Sequence, residues 1–515
     1  MRPKPPGGWA ALAGVLTAGA AIAVGELVAG IVPGARSLVI AVGDQIIDVV
    51  PAGMKEFAIA VFGTNDKVAL LVGIGIALTG FATAVGVVAA RRFALGAGGV
   101  IALGVIGMAA AANQAAGGAA GAALLPGLVA TAAGVIALRL LLAPLAQPSS
   151  VPAGRTGQGG DRRGFMRTAG AVTVLAAVAG TAGRLLQQRM SAAASRAQVV
   201  LPPPVRRLPP IPAAAAVDVE GMTPFVTPNA GFYRIDTALQ VPSVPAESYR
   251  LRVTGMVDNP LELSFADLQA MELIEADITL TCVSNEVGGG LVGNARWLGV
   301  RLSDVLSLAG VKAAATQIVG RSVDGYTCGF PVEAAFDGRD AIIAIGMNGE
   351  PLPLKHGFPA RLVTPGLYGY VSATKWLSEI ELTTFEAFDQ YWVRRRWAEH
   401  APIKTQSRID VPRGLSRLQP GRVAVAGVAW AQTRGIERVE VRVDDGPWVQ
   451  ARLAEQLNTM TWRQWHYEWD ATPGVHQLRA RATDATGHTQ QEERVPPFPD
   501  GATGWHTVSV TVAGA

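Results

Sequence analysis

Histidine is missing from the chain until His356, cysteine occurs only twice, and charged residues make up 16% of the 515 positions. Each shortage removes a class of explanation. Two cysteines, Cys282 and Cys328, cannot build a disulfide framework, and their number is silent on redox compartment. Because the first histidine is His356, the apolar N-terminal runs have no histidine pair to offer a haem, and a b-type cytochrome is not expected there. The net charge of +4 is small, the basic residues read as scattered instead of gathered with aromatics, and no nucleic-acid partner is expected.

What is abundant is apolar surface. Half of the residues are hydrophobic and 60 are glycine, a composition too greasy for an ordinary soluble enzyme. Nearly all the long uncharged runs precede Leu186, whereas tryptophan, histidine and paired charges concentrate after Met222. A helix that crosses a bilayer needs ~20 mostly apolar residues. Runs 9–32, 68–90, 93–112, 118–144 and 165–186 meet that length, so region 1–188 is expected to hold about five transmembrane helices. Segment 38–62 carries Asp44, Asp48, Pro51, Lys55 and Glu56 and reads as an interfacial or re-entrant helix.

Lysine and arginine gather in short loops on the cytoplasmic side. Arg2 and Lys4, Arg91 and Arg92, and Arg155, Arg162, Arg163 and Arg167 fall in alternate loops, which places everything after Leu186 outside. The expected location is the cell membrane, multi-pass, with the later domains extracytoplasmic. Segment 161–167 resembles a twin-arginine export signal in an internal position, and it also reads as a plain pair of anchoring arginines. Glu26, inside the first run, marks either a functional group or a carboxyl hydrogen-bonded to a neighbouring helix.

Residues 189–220 are rich in alanine and proline and read as a semi-extended spacer. Region 221–400 mixes strand and helix signals without regular βαβ alternation, which predicts an α+β domain. Its strand signals are 250–257, 277–281 and 341–347, the last followed by an Asn348-Gly349 turn; its helix signals follow Ser264 and Leu302. Region 401–515 carries strand-like runs at roughly ten-residue spacing and predicts an immunoglobulin-like β-sandwich.

The stretch from Thr281 to Gly290, Thr-Cys-Val-Ser-Asn-Glu-Val-Gly-Gly-Gly, ends a strand and opens a glycine-rich loop. That placement suits a working thiolate, although a lone cysteine also serves as a small buried hydrophobe. Three further pieces accompany it: Asn294-Ala295-Arg296-Trp297-Leu298-Gly299-Val300; Met347-Asn348-Gly349-Glu350-Pro351-Leu352; and His356-Gly357-Phe358-Pro359-Ala360-Arg361, followed by Pro365 to Gly369 and Lys375-Trp376. On these four pieces, the chain from about Gly221 onward resembles the sulfite oxidase family of molybdopterin enzymes, including its bacterial methionine sulfoxide reductase relatives.

The resemblance implies a molybdenum-molybdopterin cofactor, with Cys282 as the protein thiolate on the metal. It implies Arg361, Lys375 and His356 as contacts to the pterin and its phosphate. Asn229, Tyr233 and Arg234 match an early cofactor-binding segment, and Ser322 and Ser372 are further carried-over contacts. Sulfite-oxidising members carry arginines after the Cys-x-x-Asn piece, where this chain has Glu286 and Val287. A carboxylate beside the metal would repel sulfite, and Arg296 would compensate only by pointing inward, so both are candidate catalytic residues. No haem is expected in this chain, which calls for a separate electron donor or acceptor, a haem protein or a quinone-linked one. The C-terminal domain is expected to form a homodimer contact.

The expected function is two-electron oxygen-atom transfer on a small substrate, sulfite-like or an S- or N-oxide, by a membrane-anchored oxidoreductase. One rival is a non-catalytic, membrane-anchored interaction module that retains the fold. Another places function in the membrane half, as a transporter or quinone-linked subunit, with Glu26 as its support.

Overall fold

The computed structural model describes residues 7–32, 35, 37–49, 66–113, 120–146, 162–189, 192–238 and 241–514. Arg2, Lys4, Pro51, Lys55, Glu56, Arg155 and Asp161, which entered the orientation and interfacial readings, lie outside the described residues. The chain divides into two compact units: Met1–Ala194 with Ala238–Val241, and Ser195–Thr237 with Pro242–Ala515.

The first unit is helical. Among the described residues five helices are long and apolar enough to cross a membrane: Gly7–Ile31, Ala69–Arg91, Phe93–Asn113, Gly121–Ala146 and Arg162–Leu186. A shorter helix, Leu38–Val49, occupies the first part of the segment read as interfacial. Helices of this composition associate by close approach, which small residues permit. A Cβ on Gly14 would lie 1.9 Å from the Ala82 carbonyl oxygen, and one on Gly86 would lie 2.1 Å from that of Ala10. The two helices therefore touch backbone to backbone. Leu138, Leu141 and Phe165 fill the space beside them. The Ser37 hydroxyl donates to the Glu26 carboxylate, which makes Glu26 a hydrogen-bonded carboxyl.

The second unit holds four sheets. In the first, the order is Leu261–Ser264, Arg250–Gly255, Leu377–Thr383, Gln317–Ser322, Thr327–Pro331. Its one parallel pairing, Arg250–Gly255 with Leu377–Thr383, joins the two ends of the region. In the second, Leu273–Thr281, Val292–Arg301, Ile342–Met347 and Glu350–Pro351 follow one another, with Arg361–Val363 also paired to Ile342–Met347. Ser264 caps the helix Phe265–Ala270 through a reciprocal bond with Asp267, and Asn348 and Gly349 take positive φ in the turn after Met347.

The remaining two sheets form the sheet-rich C-terminal part. One runs Gln406–Val411, Gly421–Trp430, Arg463–Ala471, Arg452–Leu453; the other runs Arg417–Leu418, His506–Val512, Gly474–Asp484, Ile436–Val443, Val449–Gln450. Val425, Ala429, Trp465 and Trp469 from the first meet Val439, Leu478, Ala480 and Val508 from the second in one apolar core. Alternation along each strand supplies both faces.

The proline-rich stretch read as a spacer lies along the second sheet and, at its end, against the strand Arg463–Ala471 of the C-terminal part. The Val205 amide donates to the Leu273 carbonyl (2.8 Å), the Leu208 amide to the Glu275 carboxylate (2.7 Å), and the Val217 amide to Gln464 Oε1 (2.6 Å). Ala215 is fully buried. An extended segment whose amides point at an open strand edge pairs with it, and that satisfies groups a free spacer would leave to water.

Gly299 sits where the strands Val292–Arg301 and Ile342–Met347 shift register, and a Cβ there would lie 2.2 Å from the Ile343 carbonyl oxygen. Gly299→Ala is expected to cost about 2 kcal/mol by overpacking, whereas Gly325→Ala, at φ +88° with open space around it, should cost about 1 kcal/mol of backbone strain. Denaturant titration followed by tryptophan fluorescence separates the two, and a Gly299 loss no larger than that at Gly325 would contradict the packing.

Candidate active site

The strand Leu273–Thr281 ends at its pairing with Val292, and the chain between them forms the loop that starts with Cys282. The Cys282 amide donates to the Leu291 carbonyl (2.9 Å), and the Asn285 amide donates back to the Cys282 carbonyl (3.1 Å). Asn285 Oδ1 accepts from the Leu291 amide at 2.8 Å, so the asparagine three residues on is the clasp of the loop. The strand beneath is pinned by the C-terminal part. Gln432 donates to the Thr279 carbonyl (3.1 Å) and Thr281 Oγ1 (3.3 Å), and the Trp462 amide donates to Thr279 Oγ1 (2.8 Å).

Cys282 is a free thiol, 7% exposed, on the wall of a cleft enclosing about 780 Å3 including its open mouth. Burial pushes the thiol above its ordinary value, against opposing pulls from hydrogen bonds with Ser284 and from the Lys375 charge. The same cleft is lined by Tyr233, Ser322, His356, Arg361 and Lys375, which brings six of the expected residues together.

Arg361 is the unusual member. It is 5% exposed, its guanidinium lies 5.1 Å over the Trp297 ring, and it donates to the carbonyls of His356 (3.1 Å), Leu362 (3.4 Å) and Ala373 (3.4 Å). Among the described residues no carboxylate pairs with it, and burial lowers its value to about 10. His356 Nε2 faces the Asn229 carbonyl at 3.2 Å, so that nitrogen carries the proton and Nδ1 is left as an acceptor. Burial, with the Arg361 charge beside it, lowers His356 to about 3, and the ring is neutral. Lys375 pairs with Asp236 at 2.7 Å and lies 4.7 Å over the Trp376 ring, yet burial still lowers it to about 8. Trp376 itself sits at φ +49°, a strained backbone for a bulky residue of the kind found at functional sites.

Three expected cofactor contacts do not line the cleft and support it instead. Asn229 donates to the Met347 carbonyl (3.2 Å) and the Glu350 carboxylate (2.5 Å) and accepts from Asn348 (2.8 Å), tying the early segment to the turn. Arg234 pairs with Asp236 at 2.6 Å, and the Ser372 hydroxyl donates to the Tyr368 carbonyl at 3.1 Å. The two expected catalytic residues beside Cys282 also lie elsewhere. Glu286 is exposed and outside the lining. Arg296 does not point inward: it is held by Asp277 (2.8 Å) and donates to the Pro209 carbonyl (2.9 Å). Strand alternation explains this, since Trp297 takes the cleft-side face below Arg361 and its neighbour Arg296 must take the other.

Several lining residues were not anticipated. Asp236 is legible only through its spacing from Arg234. Asp324 and Tyr326 flank the turn between Gln317–Ser322 and Thr327–Pro331; burial raises the Asp324 carboxyl, and the Tyr326 hydroxyl donates to the Tyr370 carbonyl at 2.6 Å. Trp392 closes the wall. The donor set is one thiol, one buried guanidinium without a counter-charge, one ammonium, one imidazole acceptor and aromatic walls. It fits a flat, polar-edged, anionic group with a thiolate-accepting centre.

Residues 238–392 match the model of the oxidoreductase molybdopterin binding domain. Human mitochondrial sulfite oxidase is 30% identical over 342 residues, covering 56% of this chain and 62% of that protein. The uncharacterized oxidoreductase YuiH of Bacillus subtilis is 38% identical over 146 residues, covering 28% of this chain and 70% of that protein. The sulfane dehydrogenase SoxCD of Paracoccus pantotrophus superposes with a TM-score of 0.49 at 25% identity, over 57% of this chain and 85% of that one.

An uncompensated buried charge is costly, so Arg361→Met in cofactor-free protein should leave stability unchanged or raise it by about 1–3 kcal/mol. Denaturant titration measures this, and a loss above about 2 kcal/mol would make the guanidinium a structural element of the empty fold.

Proposed function

The chain belongs to the sulfite oxidase family of molybdopterin-dependent oxidoreductases, and from that premise we propose that it carries out two-electron oxygen-atom transfer on a small substrate while anchored in a membrane. The observation that carries the reading is the cleft lined by both the Cys282 thiol and the buried Arg361 guanidinium, which among the described residues pairs with no carboxylate. When bound, molybdenum-molybdopterin supplies the two-electron oxygen-atom transfer chemistry. Cys282 would give the metal its protein sulfur. Arg361 and Lys375 would neutralise the phosphate, and His356 Nδ1 would accept a pterin N–H. Asp324, whose carboxyl burial raises, lines the same cleft.

A neutral oxygen-atom donor or acceptor, such as a sulfoxide, suits this cleft better than sulfite. The ground is not the Glu286 carboxylate, which lies outside. Instead, both lining cations are committed to cofactor contacts in this reading, Arg296 is turned away, and Tyr326, Tyr370 and Trp392 give the remaining wall an aromatic character. A dianion there would meet no guanidinium in the lining beyond the one given to the cofactor.

The same proposal divides the chain into a transmembrane region, 1–188, with a twin-arginine-like signal at 161–167, a proline- and alanine-rich linker, 189–220, whose later part is docked along the sheets, a cofactor domain, 221–400, and an immunoglobulin-like domain, 401–515. The five apolar helices support the anchor. Extracytoplasmic placement follows from the arginine-rich alternate loops.

Purified full-length protein is expected to contain molybdenum and to yield a fluorescent pterin on oxidation; absence of both would overturn the reading in favour of a fold-retaining interaction module. Cys282→Ser should abolish turnover with folding intact, and Arg361→Met should lower pterin content. In a panel with artificial electron donors and acceptors, S-oxides are expected to turn over and sulfite to be poor. Preferred turnover of sulfite would contradict the neutral-substrate argument.

A further inference from the structure

One segment breaks the scattered distribution of basic residues. Residues 391–397 read Tyr-Trp-Val-Arg-Arg-Arg-Trp. Arg394 and Arg396 are exposed and Arg395 is half-buried. Among the described residues none of the three pairs with a carboxylate. Arg394 donates to the Asp389 backbone carbonyl (2.8 Å), and Arg395 donates to that of Tyr391 (2.8 Å) with its guanidinium 3.6 Å over the Tyr391 ring. Arg396 sits at φ +68°, where glycine or asparagine is at ease and a cation is kept against strain.

The same segment reaches into the site. Trp392 lines the Cys282 cleft, its ring meets Trp397 at 6.1 Å, and Trp397 meets Phe498 at 5.4 Å. Phe498 is 49% exposed. Conjugated rings in edge contact therefore lead from the cleft to exposed Phe498, by way of Trp397, which directly follows the three arginines in the chain.

Resting on the oxidoreductase reading above, we propose that Arg394, Arg395 and Arg396 dock a separate acidic one-electron redox protein, and that Trp392, Trp397 and Phe498 form the electron path to it. The cations stand outside the cleft lining, Arg394 and Arg396 exposed and Arg395 half-buried between them, where they match a broad negative face instead of a small oxyanion. No substrate bond forms or breaks at this rim. Each docking event moves one electron, so two partner molecules are reduced for each substrate oxidised at the cofactor, or two are oxidised for each substrate reduced.

The test uses molybdenum-loaded full-length protein in nanodiscs, with an acidic cytochrome, a basic cytochrome of similar potential and a small viologen or phenazine mediator. The acidic cytochrome is expected to react faster, with a rate that falls as salt rises. Replacing Arg394, Arg395 and Arg396 together by glutamate should lower kcat/KM for the acidic cytochrome by about tenfold or more, with the mediator rate unchanged, while the triple lysine variant keeps most of the rate. Trp397→Leu should lower kcat with the acidic cytochrome and leave its KM in place. Equal rates for both cytochromes, or insensitivity to salt and to charge reversal, would overturn the proposal. So would arginine effects that follow the anionic lipid content of the disc and not the cytochrome's charge. Loss of turnover with every acceptor, mediator included, in the wild-type protein would instead defeat the oxidoreductase reading.

Discussion

A positive charge buried without a counter-charge organises the cleft. The Arg361 guanidinium is fixed by the carbonyls of His356, Leu362 and Ala373, which satisfy its N–H groups and leave its charge unneutralised. Burial, with the Arg361 field added to it, keeps His356 neutral and lowers Lys375, even though Lys375 has Asp236 as a partner. A fold that stopped at this point would bear a desolvation penalty for nothing. A phosphate-bearing cofactor would remove the difficulty, and the thiol on the facing loop would give such a cofactor a second point of attachment.

The C-terminal sheets hold this arrangement still. Gln432 and Trp462 bind the strand that ends in Cys282, and Arg408 donates to the Gly289 carbonyl at 2.9 Å on the same loop. A metal ligand on a loop is only as well placed as its supports. The C-terminal part is therefore a structural component of the site in addition to any role in assembly.

Much of this was legible in the sequence where a residue's job depends on local pattern. The strand leading to Cys282, the Ser264 cap, the Asn348-Gly349 turn and five apolar helices all follow from short-range rules, and the motif pieces drew Cys282, His356, Arg361 and Lys375 into one cleft. Side-chain direction was harder. Arg296 is adjacent to Trp297, and a single step along a strand decides which of them faces the cleft. Glu286 follows Cys282 closely in sequence, but a loop clasped by Asn285 turns it outward. The strands Gln317–Ser322 and Thr327–Pro331 contain glycine or proline and carry little periodicity, so Asp324 and Tyr326 between them went unseen. The proline-rich segment looked like a spacer because its partners, Leu273 and Glu275, are distant in sequence.

The central claim is that Cys282 supplies the protein sulfur to molybdenum in this cleft. X-ray absorption at the molybdenum edge, on purified full-length protein and on Cys282→Ser with equal metal content, tests it most directly. The account predicts one sulfur fewer around the metal in the variant. An unchanged sulfur count would contradict it and return Cys282 to the role of a small buried hydrophobe.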